Sequence, residues 1–240
     1  MSIAYTLSAL GALSMVAGVL LAIGQWDLKR LLAYHSISQM GYVVMAAGLG
    51  MVVMTRGGDP ATAALLIAGG IYHMINHAAF KSLLFLNAGS IEHRTGIRDL
   101  HKMGGLAEKM PFTSTTSLGA SMAISGIPPF NGFFSKLIII IAALKAQFYL
   151  AAVIAVLVSI ITLASFLKVQ RYAFYGTPAG KMPTDVSESP FAMTLPMVLL
   201  AVLCLALSLL FLPGIREAVL MPAVDVLTMT GNYAIKILTN

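Results

Sequence analysis

Residues 112–145, FTSTTSLGASMAISGIPPFNGFFSKLIIIIAALK, form one apolar run with a break in its middle. A membrane helix needs about 20 residues, so this run is too long for a single straight crossing. Between Ile127 and Gly132 two prolines remove two backbone donors and Asn-Gly follows, so a helix must break there. A broken membrane helix is tolerated only where it is buried in protein or lines a wet cavity. The run therefore predicts one discontinuous helix inside a bundle.

The rest of the chain has the composition of a membrane protein. Hydrophobic residues make up 58% of the sequence and charged residues 10%, against about 25% charged in soluble domains. We predict an all-α integral membrane protein of about seven transmembrane helices, with spans at 3–24, 33–54, 61–90, 112–145, 149–168, 191–212 and 218–238. The last span contains Asp225 and Asn232, so lying along the membrane surface is its alternative.

The basic residues predict an orientation. The net charge of +6 is spread over short loops without a basic stripe, which favours topology bias over nucleic-acid binding. Nine Lys and Arg residues fall on one predicted side and three on the other, which places the N-terminus outside a prokaryotic plasma membrane. The nine are Lys29, Arg30, Arg94, Arg98, Lys102, Lys109, Lys168, Arg171 and Lys181, and the three are Arg56, Lys145 and Arg216.

The third span carries protonatable residues at helical spacing. His73, His77 and Lys81 are spaced i, i+4, i+8 and share one helix face, with Asn76 at its border. Charged residues inside a span are costly and usually functional, and histidine titrates near neutral pH. The pattern predicts a proton relay. Two alternatives stay open, namely a metal held by the two histidines and a purely structural role.

A second lysine, Lys136, follows the break and opens the second half-helix. Ends of half-helices bring unpaired backbone groups and dipole charge to mid-membrane, which suits a group that exchanges a proton. Anchoring at an interface is the alternative.

Polar residues also follow the first span. Asp27 and Arg30 have the i, i+3 spacing of an ion pair in a capped, positive-inside turn. The other interpretation is a polar entry for protons, lined by Asp27, Lys29, His35, Ser36, Ser38 and Gln39. The single cysteine excludes an internal disulfide or a Cys-rich iron–sulfur site in these 240 residues.

Four stretches carry a specific resemblance. They are QWDLKRLLAYHSISQMGY (25–42), HMINHAAFKSLL (73–84), KMGGL (102–106) and GIPPFNGFFSK (126–136). In this order they resemble the antiporter-like subunits of respiratory complex I, energy-converting membrane-bound hydrogenases and Mrp-type sodium/proton antiporters. The match covers roughly residues 5–175. The resemblance implies that Lys81, with His73 and His77, forms a central relay and that Lys136 is the ionisable residue of the discontinuous helix.

The resemblance also implies partners. Full-length members have two inverted repeats, and this chain begins partway through the second. We expect residues 1–175 to form an incomplete second-half bundle, and 176–240 a cytoplasmic loop and additional C-terminal membrane helices. Another chain would supply the missing half, and without it the lysine face would lie exposed. A truncated gene product is the alternative.

The function expected from this resemblance is proton translocation within a redox-driven, hydrogenase- or complex I-like complex. No cofactor is expected in this chain, and iron–sulfur or nickel–iron centres are expected in peripheral partner subunits. The alternatives are a subunit of a gradient-driven Mrp-type sodium/proton antiporter and a scaffold without a transport role.

Overall fold

The computed structural model describes residues 2–177, 183 and 185–228, and every regular element within them is helical. The three longest early helices are α1 (Ser2–Ile23), α2 (Leu28–Thr55) and α3 (Pro60–Thr95). α2 begins five residues before its predicted start because the side chain of Asp27 accepts the Arg30 N–H and caps the helix. α3 is capped by Asp59 and ends at Gly96 in the left-handed conformation.

The predicted break is confirmed. A short helix α4 (Leu106–Lys109) precedes α5 (Pro111–Ser125), which ends at the left-handed Gly126, and α6 (Asn131–Lys145) resumes after the prolines. Each half has 15 residues and is therefore about 22 Å long, short of the roughly 30 Å hydrocarbon core. Neither half alone is therefore long enough for a full crossing.

The C-terminal elements continue the bundle. They are α7 (Tyr149–Val169), extended by a π-helical turn (Gln170–Tyr175), α8 (Phe191–Ala206), extended by a 3-10 turn (Leu207–Phe211), α9 (Pro213–Val219) and α10 (Met221–Thr228). α8 packs against α3 and α5.

The count of about seven spans is not reached in the described residues. Among the described residues five helices are long and apolar enough to cross a membrane, and neither α5 nor α6 is one of them. The described part of the predicted 218–238 span consists of short helical pieces, because the chain turns between α9 and α10. The rest of that span, with Asn232, and Lys181 of the preceding loop lie outside the described residues.

α1 and α2 approach each other closely through glycines. A Cβ atom on Gly41 would lie 2.6 Å from the carbonyl oxygen of Gly11, and one on Gly48 would lie 2.6 Å from the backbone nitrogen of Ser8. Small residues allow such contact in membranes, where van der Waals packing holds helices together. This contact fixes α2 in the bundle.

One end of the bundle is closed around Trp26. Its ring stacks on His101 with centroids 3.7 Å apart, and the Lys168 ammonium lies 4.7 Å from the ring centre. Lys168 also donates hydrogen bonds to the carbonyls of Ile23 and Gln25, at 2.6 and 2.7 Å. The end of α7 is thereby tied to the turn between α1 and α2.

Candidate functional site

The predicted face of α3 lies inside the bundle. His73, Asn76 and Lys81 are buried and His77 is half-buried. The ring of Phe80 packs beside both histidines, with centroids 6.2 Å from His73 and 5.6 Å from His77. Helical spacing places successive members about 6 Å apart. The structure thus brings the three predicted relay residues together in one interior column.

Lys81 reaches from α3 to α2. Its ammonium group donates a hydrogen bond to the Leu32 carbonyl and lies 5.6 Å from the centre of the Phe85 ring. The side chain is 6% exposed, so the expectation of an exposed lysine face is wrong for Lys81, because α2 covers it. Within the described residues no carboxylate lies at ion-pair distance from it.

Lys136 lies at the helix break and is also buried, at 3% exposed. Its ammonium group donates to the Ile124 carbonyl at 2.7 Å, near the end of α5, and lies 5.0 Å from the centre of the Tyr42 ring. Lys136 is therefore held by the open backbone end that the break creates, which argues against a lysine anchored at an interface. In the described part of the chain it too has no carboxylate partner.

A cavity of about 210 Å³ adjoins Lys136. Its lining comes from the break, from α6 and from α7, and includes Ser125, Gly126, Phe133, Lys136, Ser159 and Ile160. Ile160 is 57% exposed on α7, so the cavity extends to the surface of this chain.

Hydrogen bonds join α3 to α6. His73 Nδ1 lies 2.9 Å from the hydroxyl of Ser135, the residue directly before Lys136. The side chain of Asn76 donates to the Asn131 carbonyl, and the side chain of Asn131 donates to the Asn76 side-chain oxygen, both at 3.0 Å. The α3 column therefore ends next to Lys136.

The residues predicted to line a polar entry fall into two groups in the structure, one at the surface and one in the interior. Asp27 caps α2 at the surface by accepting the Arg30 N–H. Its ion-pair partner is the Arg98 guanidinium at 3.8 Å, where the sequence predicted the Arg30 side chain. Lys29 forms an ion pair with Glu92 at 2.5 Å. His35, eight residues after Asp27, lies about 12 Å further along the helix and is fully buried.

The remaining residues of the predicted entry, which follow Lys29 on α2, contact different neighbours. Ser36 donates to the Leu32 carbonyl and Ser38 to the Met15 carbonyl, at 3.3 and 2.9 Å. His35 Nε2 lies 2.8 Å from the hydroxyl of Ser165 on α7. Gln39 is fully buried and makes no side-chain hydrogen bond within the described residues.

Several buried polar atoms have no hydrogen-bond partner in the described residues. Around the two lysines these atoms are His35 Nδ1, Gln39 Nε2 and Oε1, His73 Nε2, His77 Nε2 and Ser125 Oγ. Buried polar atoms are normally paired with protein or ordered water. The concentration of such atoms between the lysines therefore indicates a region suited to water.

Sequence reasoning missed the partners that hold these residues. Ser135, Asn131 and Ser165 orient His73, Asn76 and His35, and Tyr42 packs between Lys136 and His73. The one available signal was the position of Asn131 and Ser135 in the break motif. In the described residues no three His, Cys, Asp or Glu side chains gather as a metal site, and Lys81 is a poor third ligand.

The described residues form a helical bundle with two buried lysines that have no carboxylate partner there, one at a broken helix and one in a column with histidines. These are the features expected of an antiporter-like membrane subunit. Residues 1–162 match the family described as NADH:quinone oxidoreductase/Mrp antiporter, TM, and the chain belongs to that family.

Curated relatives come from two kinds of complex. Hydrogenase-4 component B of Escherichia coli (strain K12) is 36% identical over 211 residues, which cover 84% of this chain and 31% of that protein. An Na(+)/H(+) antiporter subunit of Alkalihalophilus pseudofirmus is 42% identical over 167 residues, covering 70% of this chain and 31% of that protein. The chain thus spans about a third of the length of these relatives.

Similar solved structures come from an Mrp complex and from a respiratory complex. A chain of the Mrp complex from Dietzia sp. DQ12-45-1b superposes with a TM-score of 0.78 and 29% identity, covering 94% of this chain and 49% of that one. A chain of the membrane-bound sulfane sulfur reductase, an archaeal respiratory membrane complex, gives a TM-score of 0.75 and 33% identity, covering 87% and 32%.

Proposed function

We propose that this chain forms part of a proton-translocating path in a multi-subunit complex of a prokaryotic plasma membrane. The observation that carries the proposal is the pair of buried lysines, whose ammonium groups contact main-chain carbonyls and aromatic faces and no carboxylate in the described residues. A buried charge without a counter-ion is costly in a membrane. Each lysine is therefore suited to pass a proton to a neighbouring group, and the amine left behind can accept another.

The histidine column supplies the connection. His77 interacts electrostatically with Lys81, and His73 interacts with both His77 and Lys136. A proton arriving at one member repels the charge on the next. Such coupling suits stepwise transfer through water bound at the unpartnered imidazole nitrogens.

We propose a redox-driven complex as the setting, with iron–sulfur or nickel–iron centres in peripheral subunits and with the N-terminus of this chain outside. The similarity to hydrogenase-4 component B and to the sulfane sulfur reductase chain supports this choice. The similarity to chains of multi-subunit membrane complexes further supports other membrane subunits as partners.

A gradient-driven sodium/proton antiporter is the second candidate. It is favoured by the 42% identity to the Na(+)/H(+) antiporter chain of Alkalihalophilus pseudofirmus and by the Mrp superposition. Purification from native membranes followed by mass spectrometry separates the two settings. Co-purifying nickel- or iron–sulfur-binding subunits support the first, and small membrane subunits without a redox protein support the second.

Transport itself is tested with Lys81→Met and Lys136→Met in everted membrane vesicles that contain the complete complex. Methionine keeps the bulk of the side chain and removes the charge, so assembly should be retained. We expect each variant to lose proton uptake, whereas the control Lys109→Met, at an exposed position, keeps it. Unchanged uptake in both buried variants would leave the scaffold interpretation standing.

A further inference from the structure

α2 carries a continuous line of residues between the two lysines. Leu32, His35, Gln39 and Tyr42 are spaced i, i+3, i+7 and i+10, which places them on one face of the helix. Lys81 donates to the Leu32 carbonyl at one end of this line. Lys136 lies over the Tyr42 ring at the other end. α2 therefore touches both lysine ammonium groups.

The middle of this line is polar and buried. His35 and Gln39 are 0% exposed, and three of their four side-chain nitrogen and oxygen atoms have no partner in the described residues. The fourth, His35 Nε2, is fixed by Ser165, which leaves Nδ1 as the free ring nitrogen. A fully buried amide without a partner destabilises a fold. Such an amide midway between two buried lysines points to a role other than folding.

Charges surround the line from several helices. His35 interacts electrostatically with Lys81 on α3, Lys136 on α6 and Lys168 on α7. On α2 itself, the Tyr42 hydroxyl donates to the Ala155 carbonyl and lies 2.8 Å from the Ser159 hydroxyl. Ser159 also lines the cavity beside Lys136. The line thus ends at that cavity.

We propose that His35 and Gln39 form a second connection between Lys81 and Lys136, parallel to the His77–His73 column and built on α2. A proton leaving one lysine ammonium leaves a neutral amine, passes through His35 Nδ1 and water held by the Gln39 amide, and ends on the amine of the other lysine. His35 is protonated only during the passage. Tyr42 is the last residue of this connection, because its ring contacts the Lys136 ammonium. This inference rests on the proposed function and adds positioning and relay residues to it.

The test uses Gln39→Met and His35→Gln in the complete complex, in everted membrane vesicles. Methionine has nearly the volume of glutamine and removes the two unpartnered polar atoms, so the melting temperature should stay the same or rise. Proton uptake per assembled complex should show a partial loss in both variants, since the α2 relay is removed while the parallel His77–His73 column stays intact. The controls Gln25→Met and His93→Leu, at partly buried and exposed positions, should keep wild-type uptake.

The outcomes are distinguishable. Normal uptake in Gln39→Met with loss in Lys81→Met and Lys136→Met would overturn the α2 connection and leave the His77–His73 column as the route. Normal uptake in both lysine variants would overturn the proposed function and this inference together. A lower melting temperature with unchanged uptake would make Gln39 a structural residue. If His35→Gln fails to assemble, Gln39→Met alone decides between these outcomes.

Discussion

Asn76 on α3 and Asn131 at the start of α6 exchange hydrogen bonds across the bundle, each side chain donating once at 3.0 Å. Asn131 Oδ1 also accepts the Gly132 N–H at 2.9 Å, so this pair sets the direction in which α6 leaves the break. Because Lys136 lies on the second turn of α6, its position depends on this pair.

The first prediction concerns this pair. Asn76→Ala should lower the free energy of unfolding by about 1–3 kcal/mol, because Asn131 is left buried with an unpaired amide. Asn131→Ala should have a similar effect, and the double variant should cost less than the sum of the two. Thermal unfolding of the purified complex measures all three. Strict additivity would show that the two side chains do not interact.

The second prediction concerns the contact between α1 and α2. Gly41→Ala adds a methyl group 2.6 Å from the Gly11 carbonyl oxygen, so it should separate the helices and destabilise the bundle by about 1–3 kcal/mol. Gly89→Ala is the matched control, because the added carbon would have no atom within 4 Å beyond its own stretch of helix. It should raise stability by up to about 1 kcal/mol, the helix propensity difference between the two residues. Equal melting temperatures for the two variants would contradict the close contact.

The third prediction concerns the cap of α5. Glu188 accepts the N–H groups of Phe112 and Thr113 and the Thr113 hydroxyl, at 2.8, 3.2 and 2.6 Å. Glu188→Ala should therefore speed hydrogen exchange of the first amides of α5, because their acceptor is lost. Glu108→Ala removes the same charge from an exposed position nearby and should leave that exchange unchanged. Protected α5 amides in Glu188→Ala would rule out this capping role.

The fourth prediction is a dependence on pH at the start of α3. Hydrogen bonds from the Thr62 hydroxyl, and from the N–H groups of Ala61 and Thr62, hold the pKa of Asp59 below its ordinary value. A carboxyl with a lowered folded-state pKa stabilises the fold above its unfolded pKa of about 3.9 and loses that effect as the pH falls through the folded value. Asp59→Ala should therefore melt below wild type at neutral pH.

That difference in melting temperature should shrink once the pH falls below about 3.9. Thermal unfolding of both proteins across this pH range is the measurement. A difference that stays constant would mean that the Asp59 carboxylate contributes nothing through its charge.

The sequence was most informative where backbone chemistry alone determines structure. Two adjacent prolines followed by Asn-Gly cannot continue a helix, so a break was predictable there; it was predicted at Ile127–Gly132, and the structure has it at 126–130. The column of His73, His77 and Lys81 follows from helical spacing in the same way. Both features are local and do not depend on how helices pack.

The remaining features depend on packing. His35 and Ser165 are 130 positions apart, and nothing in either local pattern indicates that α2 and α7 meet there. For the same reason the sequence leaves two interpretations open for the polar run after the first span, a capped turn and a polar entry for protons. Asp27 caps α2 at its first turn, which carries His35 and Gln39 into the interior. The turn between α9 and α10 was missed because hydropathy does not mark it.

The closed end around Trp26 provides an intrinsic optical probe. This is the one tryptophan among the 240 residues, and two segments distant in sequence contact its indole, the loop through His101 and the end of α7 through Lys168 and Tyr172. In an otherwise tryptophan-free complex, emission from this single chromophore would report whether the turn after α1, the loop around residue 101 and the end of α7 remain in contact. Movements of the α1–α2 turn during turnover would then be visible as intensity changes without any attached dye.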